Sequence, residues 1–479
     1  MQNYHISKRR KTALRFFTYG VMTLAVLVLS FLSMLLILGY QFNIKSGTLE
    51  QGGLFQFRSF PAGAIIQLDS KQLNFSTPGK FNASAGKHIV TMKLSGYQEW
   101  HKTTNLKAGE LKWLNYARLV PQSITSRSVA SFANIVGTLP SPDRRWYALM
   151  SDPATPIVTL YDIRDPKKPV ALNITIPVNG FTSIVGQTHS FSLVEWDFGA
   201  RYMLIKHQTE TLTEYIRIDR TVVNDAVNIT KEFNLPFSNI HFSGTSGNVF
   251  YALNGTDIRR IDTGSKSVSQ PLVSDVSSFE LYKSNDIAYV AAKADKRIVG
   301  VYINDQDTVV RSYPLAETIH IDISSYYDHR YLAIGHGKTI EIIKDPLENT
   351  DTAGRVFATF TTVYDIAWTK LASSGRFLVA GNGTDISTYD IETDDLFVSR
   401  FDGIAKDISH PLQWLDDYYL VSDSNSSLVI GEFDGTNKHD IVGVVPGFAV
   451  TLSENGEYLF SIGHTDAGFM LQSSKMIKN

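Results

Sequence analysis

Few residues that could do chemistry stand at the spacings that known reactions require. The twelve histidines are scattered, and His329 and His336 are the closest pair beyond the N-terminal apolar stretch. They flank one predicted strand and do not form the H-E-x-x-H motif of zinc hydrolases. Cysteine is absent, which excludes a thiolate metal site, a cysteine nucleophile and a disulfide framework.

The chain contains an incomplete nucleotide-binding motif and no serine-hydrolase motif. Gly337-Lys338-Thr339 resembles the end of a P-loop, but Leu332 occupies the position of its first glycine. The segment lies between two predicted strands, so we expect a hairpin turn there. No G-x-S-x-G motif of a serine hydrolase occurs.

Acidic residues cluster in predicted turns, at Asp305 and Asp307 and again at Asp394 and Asp395. A loose calcium site would use such carboxylates, but solvated turn residues are the preferred interpretation. The sequence therefore assigns no catalytic, metal or cofactor-binding residue, and it predicts no cofactor.

The longest apolar stretch of the chain lies near its N-terminus. Residues 16–38 contain 23 residues without a charge, of which 14 are Phe, Val, Leu or Ile. A helix of this length measures about 34 Å and covers a bilayer core of about 30 Å. We predict a transmembrane helix at 16–40, whose partner is the lipid bilayer through residues 16–38.

The charges on either side of this stretch predict its orientation. Five basic residues precede it, and the first 44 residues contain no acid. By the positive-inside rule, residues 1–15 form a cytoplasmic tail and residues 45–479 are extracytoplasmic. A cleaved signal peptide is the alternative, but no Ala-x-Ala-like site follows Leu38. We predict an uncleaved signal anchor in the cell membrane.

Composition supports this location. Without the five basic residues of the tail, 40 Lys and Arg stand against 47 Asp and Glu. This acidic balance argues against a nucleic-acid partner, which needs a basic surface. The absence of cysteine fits a prokaryotic envelope protein.

Residues 41–52 are polar and predict a tether, whereas residues 53–120 alternate with period two in short runs separated by turn residues. Such runs predict a small β-sandwich. Ordered motifs mark the segment: Pro61-Ala62-Gly63-Ala64, Leu68-Asp69, Thr77-Pro78, Ala85-Gly86-Lys87-His88, Gly96-Tyr97 and Gly109-Glu110. This order resembles the PEGA domain, with Ala62 where the family often has Glu. The resemblance implies an extracytoplasmic β-sandwich with a spacer or binding role and no catalysis.

Residues 121–479 repeat one pattern eight times. A turn rich in Gly, Asp, Asn or Ser leads into an aromatic residue and a short apolar strand. The aligned aromatics are Tyr147, Tyr202, Tyr251, Tyr289, Tyr331, Phe377, Tyr419 and Tyr458. They could stack on carbohydrate, but their constant place at a strand start favours packing between repeats.

Another apolar strand that ends in an acidic turn follows each of the first seven aromatics, as in TLYDIRD and STYDIETDD. This repeat at about 40–50 residues is typical of β-propeller blades. The phrases SPDRRWYALMS and LASSGRFLVAG resemble the blades of WD40-like and TolB-type propellers. We predict an all-β fold with a C-terminal propeller of eight blades, seven being the alternative.

The last repeat has three strands and lacks a fourth. Ser123–Val129 reads as a strand that the first blade does not need. We predict that it is the outermost strand of the last blade, pairs with the strand around Phe469–Ser473, and so closes the ring.

Two classes of function fit these features. The preferred prediction is a non-enzymatic, membrane-anchored extracytoplasmic binding or scaffold protein, whose propeller contacts an envelope protein or cell-wall glycan. The alternative is an envelope glycan-active enzyme, a propeller-fold lyase or hydrolase whose acid and base come from different blades. Two carboxyls about 5–10 Å apart in a deep central cleft would favour the enzyme.

Overall fold

The computed structural model describes residues 8–37, 39–43, 48–222, 224–347, 355–401, 412–423 and 426–478. The chain divides into two compact units, Met1–Ser123 and Ile124–Asn479. The first contains a long helix and a small β-sandwich, and the second contains a β-propeller.

The first unit begins with one long apolar helix, α1 (Lys8–Ile37). Its apolar window, Thr12–Leu35, has a mean hydropathy of 2.0, and none of it is buried within the protein. In the described part of the chain it is the one helix long and apolar enough to cross a membrane. The helix starts eight residues before the predicted apolar span, because the basic residues ahead of that span are good helix formers.

The predicted tether contains regular structure. Two short strands, β1 (Tyr40–Asn43) and β2 (Thr48–Gln51), pair as an antiparallel hairpin. The Gly52 N–H then donates to the Gly39 carbonyl at 2.9 Å. Residues 44–47 lie outside the described residues.

Two sheets form the sandwich of the first unit. Its strands are β3 (Gly53–Phe60), β4 (Ile65–Leu68), β5 (Lys71–Ser76), β6 (Gly79–Ala83), β7 (Gly86–Lys93), β8 (Trp100–Leu106) and β9 (Leu111–Arg118). The sheet orders are β6-β3-β9, in which β3 and β9 are parallel, and β5-β4-β7-β8. Period-two alternation buries Phe55 and Phe57 of β3 between the sheets, together with Ile66, Met92 and Trp100.

The described residues of the second unit form eight four-stranded antiparallel sheets. The first sheet consists of β11 (Gly137–Pro140), β12 (Trp146–Met150), β13 (Ile157–Asp162) and β14 (Val170–Thr175), and the second of β15 (Ser190–Trp196), β16 (Tyr202–Gln208), β17 (Thr213–Asp219) and β18 (Ala226–Asn228). The third consists of β19 (Phe237–Phe242), β20 (Val249–Asn254), β21 (Asp257–Asp262) and β22 (Ser267–Val268), and the fourth of β23 (Val276–Tyr282), β24 (Asp286–Lys293), β25 (Lys296–Ile303) and β26 (Gln306–Pro314). The fifth consists of β27 (Ile319–Tyr326), β28 (His329–His336), β29 (Thr339–Lys344) and β30 (Arg355–Thr361), and the sixth of β31 (Trp368–Leu371), β32 (Phe377–Asn382), β33 (Asp385–Asp390) and β34 (Asp395–Arg400).

The remaining two sheets are β35 (Gln413–Trp414), β36 (Tyr419–Ser422), β37 (Ser427–Glu432) and β38 (His439–Gly443), and then β39 (Thr451–Leu452), β40 (Tyr458–Thr465) and β41 (Gly468–Lys475) with β10 (Thr125–Phe132). A short helix, α2 (Ile229–Phe233), follows β18, and a 3-10 turn spans Val178–Gly180. The number of sheets equals the number of repeats in the sequence.

Consecutive sheets bury apolar side chains against each other. Val158 of β13 and Ile216 of β17 share one core cluster, and Ile340 of β29 and Leu378 of β32 share another. Seven of the eight aligned aromatics are buried, which confirms the packing interpretation. The exception, Tyr202, is half-buried, with the guanidinium groups of Arg201 and Arg217 at 4.9 and 5.0 Å from its ring centre.

The predicted closure is confirmed. Strand β10 pairs with β41 from Thr125 opposite Lys475 to Phe132 opposite Phe469, with a bulge between Ser128 and Ala130. The order of this sheet is β10-β41-β40-β39, so the N-terminal strand is outermost. Backbone hydrogen bonds therefore join the two ends of the propeller chain.

The acidic turns of the repeats have a structural explanation. Arg376 donates to Asp390 at 2.9 Å (Nε–Oδ1) and 2.7 Å (Nη2–Oδ2). Arg201 donates to Asp219 Oδ2 from both Nε, at 2.9 Å, and Nη2, at 2.6 Å. In each pair the arginine directly precedes an aligned aromatic, and the aspartate ends the third strand of the same sheet. The acid thus links two strands of one blade.

Candidate functional site

The histidines that the sequence singled out lie in separate ion pairs. His329 Nδ1 is 2.6 Å from Asp345 Oδ2, whereas His336 lies 3.5 Å from both Glu317 and Glu341. Gly337, with φ of +49°, forms the turn between β28 and β29. The expected hairpin at the P-loop-like segment is confirmed.

The acidic clusters are engaged by tyrosines. The Tyr289 hydroxyl donates to Asp307 at 2.5 Å, the Tyr302 hydroxyl donates to Asp305 at 3.1 Å, and Asp394 accepts from Tyr389. Across the residues that the structure describes, no three His, Asp or Glu side chains are grouped so that they could hold a metal ion.

Charged side chains do meet at the first strands of five consecutive sheets. Those strands contact one another in chain order from β11 through β31, which places them at the centre of the propeller. The charged residues are Glu195 on β15, His241 on β19, Glu280 on β23, Asp322 on β27 and Lys370 on β31. We call these five residues the central charged cluster.

Glu195 and His241 form the first ion pair of the cluster. His241 Nδ1 lies 2.8 Å from Glu195 Oε2, and the other carboxylate oxygen accepts from the Phe242 N–H. Asn239 Nδ2 donates to Phe279 O at 3.2 Å, so Asn239 Oδ1 is the atom 3.1 Å from His241 Nε2. Both ring nitrogens therefore face acceptors, which favours an imidazolium ion. Burial lowers the pKa of His241, but the Glu195 carboxylate outweighs it and the net direction is upward.

Asp322 and Lys370 form the second ion pair, with 3.6 Å between Nζ and Oδ2. The Asp322 carboxylate also accepts from the Ile323 N–H at 2.9 Å and the Leu371 N–H at 2.7 Å. Burial raises the pKa of Asp322, and Lys370 opposes that rise. The Asp322 charge in turn raises the pKa of Lys370. The Asp322 side chain is 9% exposed and that of Lys370 is 55% exposed, so the cost of burying a charge falls mainly on Asp322.

Glu280 stands between the two pairs and differs from the other carboxylates. It is half-buried, and its carboxylate makes no hydrogen bond or ion pair with another described residue. Burial raises its pKa; the charges of Asp322 and Glu195 act in the same direction, and those of Lys370 and His241 oppose them. A shifted carboxyl with unused acceptor oxygens is a typical functional group.

Sequence reasoning missed this cluster. Each member is a single charged residue in a short apolar strand, as in SLVEW, SFELY and HIDIS. One charge in one strand is unremarkable, and the five meet only because the ring closes. The cluster could have been found from the sequence because a charged residue recurs shortly before the turn in five consecutive repeats.

The sheets described above define a β-propeller protein that also contains a smaller β-sandwich, and the central charged cluster lies in the propeller. Residues 55–121 match the PEGA domain family, which confirms the resemblance. A comparison with curated proteins gives no match.

Solved structures similar to this chain are propellers of low identity. The Myceliophteria thermophila Cps50 (Swd1) β-propeller domain is 13% identical, with a TM-score of 0.38, over 74% of this chain and 100% of its own. An oligogalacturonate lyase in complex with manganese is 9% identical, with a TM-score of 0.41, over 73% and 99%. Kluyveromyces lactis Hsv2 is 11% identical, with a TM-score of 0.38, over 72% and 99%. These similarities concern the fold alone and carry no activity to this chain.

Proposed function

We propose that this protein is a membrane-anchored extracytoplasmic binding protein whose propeller receives a ligand at the central charged cluster. The observation that carries the proposal is the Glu280 carboxylate, which has no hydrogen-bond or ion-pair partner among the described residues. Its two neighbouring acids, Glu195 and Asp322, are each paired with a cation and backbone N–H groups. An ammonium or guanidinium group of a ligand would give Glu280 the partner that the protein does not supply.

Two features support the membrane-anchored part of the proposal. The apolar window Thr12–Leu35 is not buried within the protein. A bilayer around residues 16–38 would cover the apolar side chains that the protein leaves exposed. The PEGA domain at residues 55–121 follows directly and would act as a stalk outside the cell. The basic tail would remain in the cytoplasm.

Binding assays with two ligand classes test the role of Glu280. Full-length protein in lipid nanodiscs is mixed with insoluble cell-wall glycan in a sedimentation assay, and with envelope proteins in a crosslinking assay. We expect binding in at least one assay, and a loss of about tenfold or more in Glu280→Gln, since the pair with a ligand cation is removed. Asp395→Asn removes an exposed charge from the start of β34 and is the matched control. Equal binding by wild type and Glu280→Gln contradicts a ligand site at this cluster.

A glycan-active enzyme remains the second candidate. The observation that favours it is the pKa of Glu280, which burial raises toward the range of a general acid, with carboxyls of Glu195 and Asp322 on other blades. Release of reducing ends or of unsaturated sugar from cell-wall glycan would reveal a hydrolase or a lyase. In that case Glu280→Gln should lower the rate by about 10²–10⁴-fold. Binding without any product leaves the binding protein as the function.

A further inference from the structure

A second candidate site lies away from the central charged cluster. A cavity of about 580 Å³ is lined by the turn and start of β17 on one side and by α2 and the chain leading to β19 on the other. Its volume falls within the range of about 300–1,000 Å³ that holds small molecules. All of its lining residues are described.

Four of the eleven residues that line this cavity are apolar, and they lie on both of its sides. Leu212 lines one side, and Leu235, Pro236 and Phe237 line the opposite side. Phe237 is buried and belongs to the core cluster between the second and third sheets. Such walls favour the apolar body of a ligand over water.

The carboxylate in the cavity wall is occupied by the protein itself. Glu214 Oε1 accepts from the Thr182 hydroxyl at 2.6 Å, while Oε2 accepts from the Thr182 N–H and from His207 Nδ1, both at 2.9 Å. Burial raises the pKa of Glu214, but these hydrogen bonds outweigh it and lower the pKa to about 2. Its side chain is 2% exposed, so neither oxygen is available to bind a cationic ligand.

The polar groups left for a ligand include donors from both walls. Lys231 is exposed at the cavity, and its ammonium makes no ion pair with another described residue. The half-buried Thr213 hydroxyl on the facing wall makes no side-chain hydrogen bond within the described structure. A lysine ammonium can only donate hydrogen bonds, and a hydroxyl can donate one. A cavity that combines an apolar part of its wall with a cation and a hydroxyl is complementary to an organic carboxylate.

We propose that this cavity binds a small organic monoanion. Its carboxylate pairs with Lys231 and accepts from Thr213, and its apolar body contacts Leu212, Leu235 and Phe237. The site does not depend on the central charged cluster, so each can fail without the other.

Three fluorinated probes of the same size test the charge requirement. Full-length protein in lipid nanodiscs is titrated with 4-fluorobenzoate, 4-fluorobenzylamine or 4-fluorobenzyl alcohol and followed by ¹⁹F NMR. We expect 4-fluorobenzoate to bind most tightly. Equal affinity for the three probes, tighter binding of the amine, or no binding of the benzoate to the folded protein overturns the proposal.

Substitutions then locate the binding. Lys231→Gln should weaken 4-fluorobenzoate binding by about two- to fivefold, and Lys231→Arg should restore most of the affinity, because an ion pair made by an exposed lysine changes affinity only a few-fold. Lys266→Gln is the matched control: Lys266 lies 3.6 Å from Glu232, beside α2 but outside the cavity lining. If Lys266→Gln weakens binding as much as Lys231→Gln does, the effect is general electrostatics and the site is wrong.

Discussion

In the PEGA domain, His88 Nδ1 lies 2.6 Å from Asp69 Oδ2, and Nε2 lies 2.8 Å from the Ser84 carbonyl oxygen. A carbonyl oxygen can only accept, so Nε2 carries a proton, and the Asp69 carboxylate accepts from Nδ1. The second Asp69 oxygen accepts from the Ile89 N–H at 2.9 Å. Asp69 and His88 thus link the turn after β4 to β7.

Because of this pair, we expect the stability of the PEGA domain to depend on pH in the acid range. Burial raises the pKa of Asp69, but the hydrogen bonds from Ile89 and His88 outweigh it, so the folded pKa lies below the unfolded value of about 3.9. Stability from Asp69 is then complete above about pH 4 and is lost as pH falls through the folded pKa. We expect Asp69→Asn to cost about 0.2–1 kcal/mol at neutral pH, a small value because the side chain is half exposed.

Thermal melts of the isolated segment 53–120 between pH 2.5 and 6 measure this effect. The segment should melt cooperatively with β-type circular dichroism. The difference between wild type and Asp69→Asn should shrink toward acid pH. Lys71→Gln, which removes an exposed charge that does not titrate in this pH range from β5 of the same segment, is the control. A difference that is constant across this range would contradict the assignment to Asp69.

The topology of the anchor can be tested directly. A reporter enzyme fused after Asn479 should be active only outside the cytoplasm, since five basic residues precede the apolar span. The protein should stay in membranes after carbonate extraction. Recovery of a soluble protein that starts near residue 40 would mean that the helix is a cleaved signal.

Closure of the propeller predicts a large effect of a distant deletion. Removing residues 125–132 should lower the melting temperature of the propeller sharply, because β41 loses its outer partner and exposes an unpaired edge. Removing residues 477–479 is the control, because this deletion leaves β41 (Gly468–Lys475) and the hydrogen bond from the Met476 N–H to the Glu457 carbonyl in place. Similar melting temperatures for the two deletions would show that β10 is dispensable.

The blade arginine predicts a second stability effect. Arg376→Gln leaves Asp390 in a buried position, 3% exposed, without its ion-pair partner. We expect a loss of about 3–5 kcal/mol, measured by chemical denaturation. Arg145→Gln breaks the exposed pair with Glu454 and should leave the midpoint unchanged. An equal effect of the two substitutions would mean that Asp390 finds another donor.

Local sequence patterns were sufficient to predict those parts of the fold in which residue types recur periodically along the chain. A charge-free run of 23 residues predicts a long apolar helix, because backbone hydrogen bonds in such a segment are satisfied within it. The repeats predicted the propeller. The count of strands in the last repeat predicted that Ser123–Val129 pairs with the strand around Phe469–Ser473, and the structure has this pairing between Thr125–Phe132 and Gly468–Lys475.

Weakly patterned strands and the hairpin at residues 40–51 were not predictable in the same way. Strands β5 (KQLNFS) and β6 (GKFNA) contain few large apolar residues, and they form because their neighbours offer open edges. Likewise, sequence alone placed Asp305 and Asp307 in solvated turns, whereas folding brings the hydroxyls of Tyr302 and Tyr289 against them.

The central charged cluster depended on tertiary structure alone. Glu195 and Lys370 are separated by 175 positions in the chain, and no local pattern relates them. They become neighbours of Glu280 because the first strands of consecutive sheets, from β15 to β31, contact one another. The same packing partly buries Glu280, and this burial, which no sequence window contains, raises its pKa.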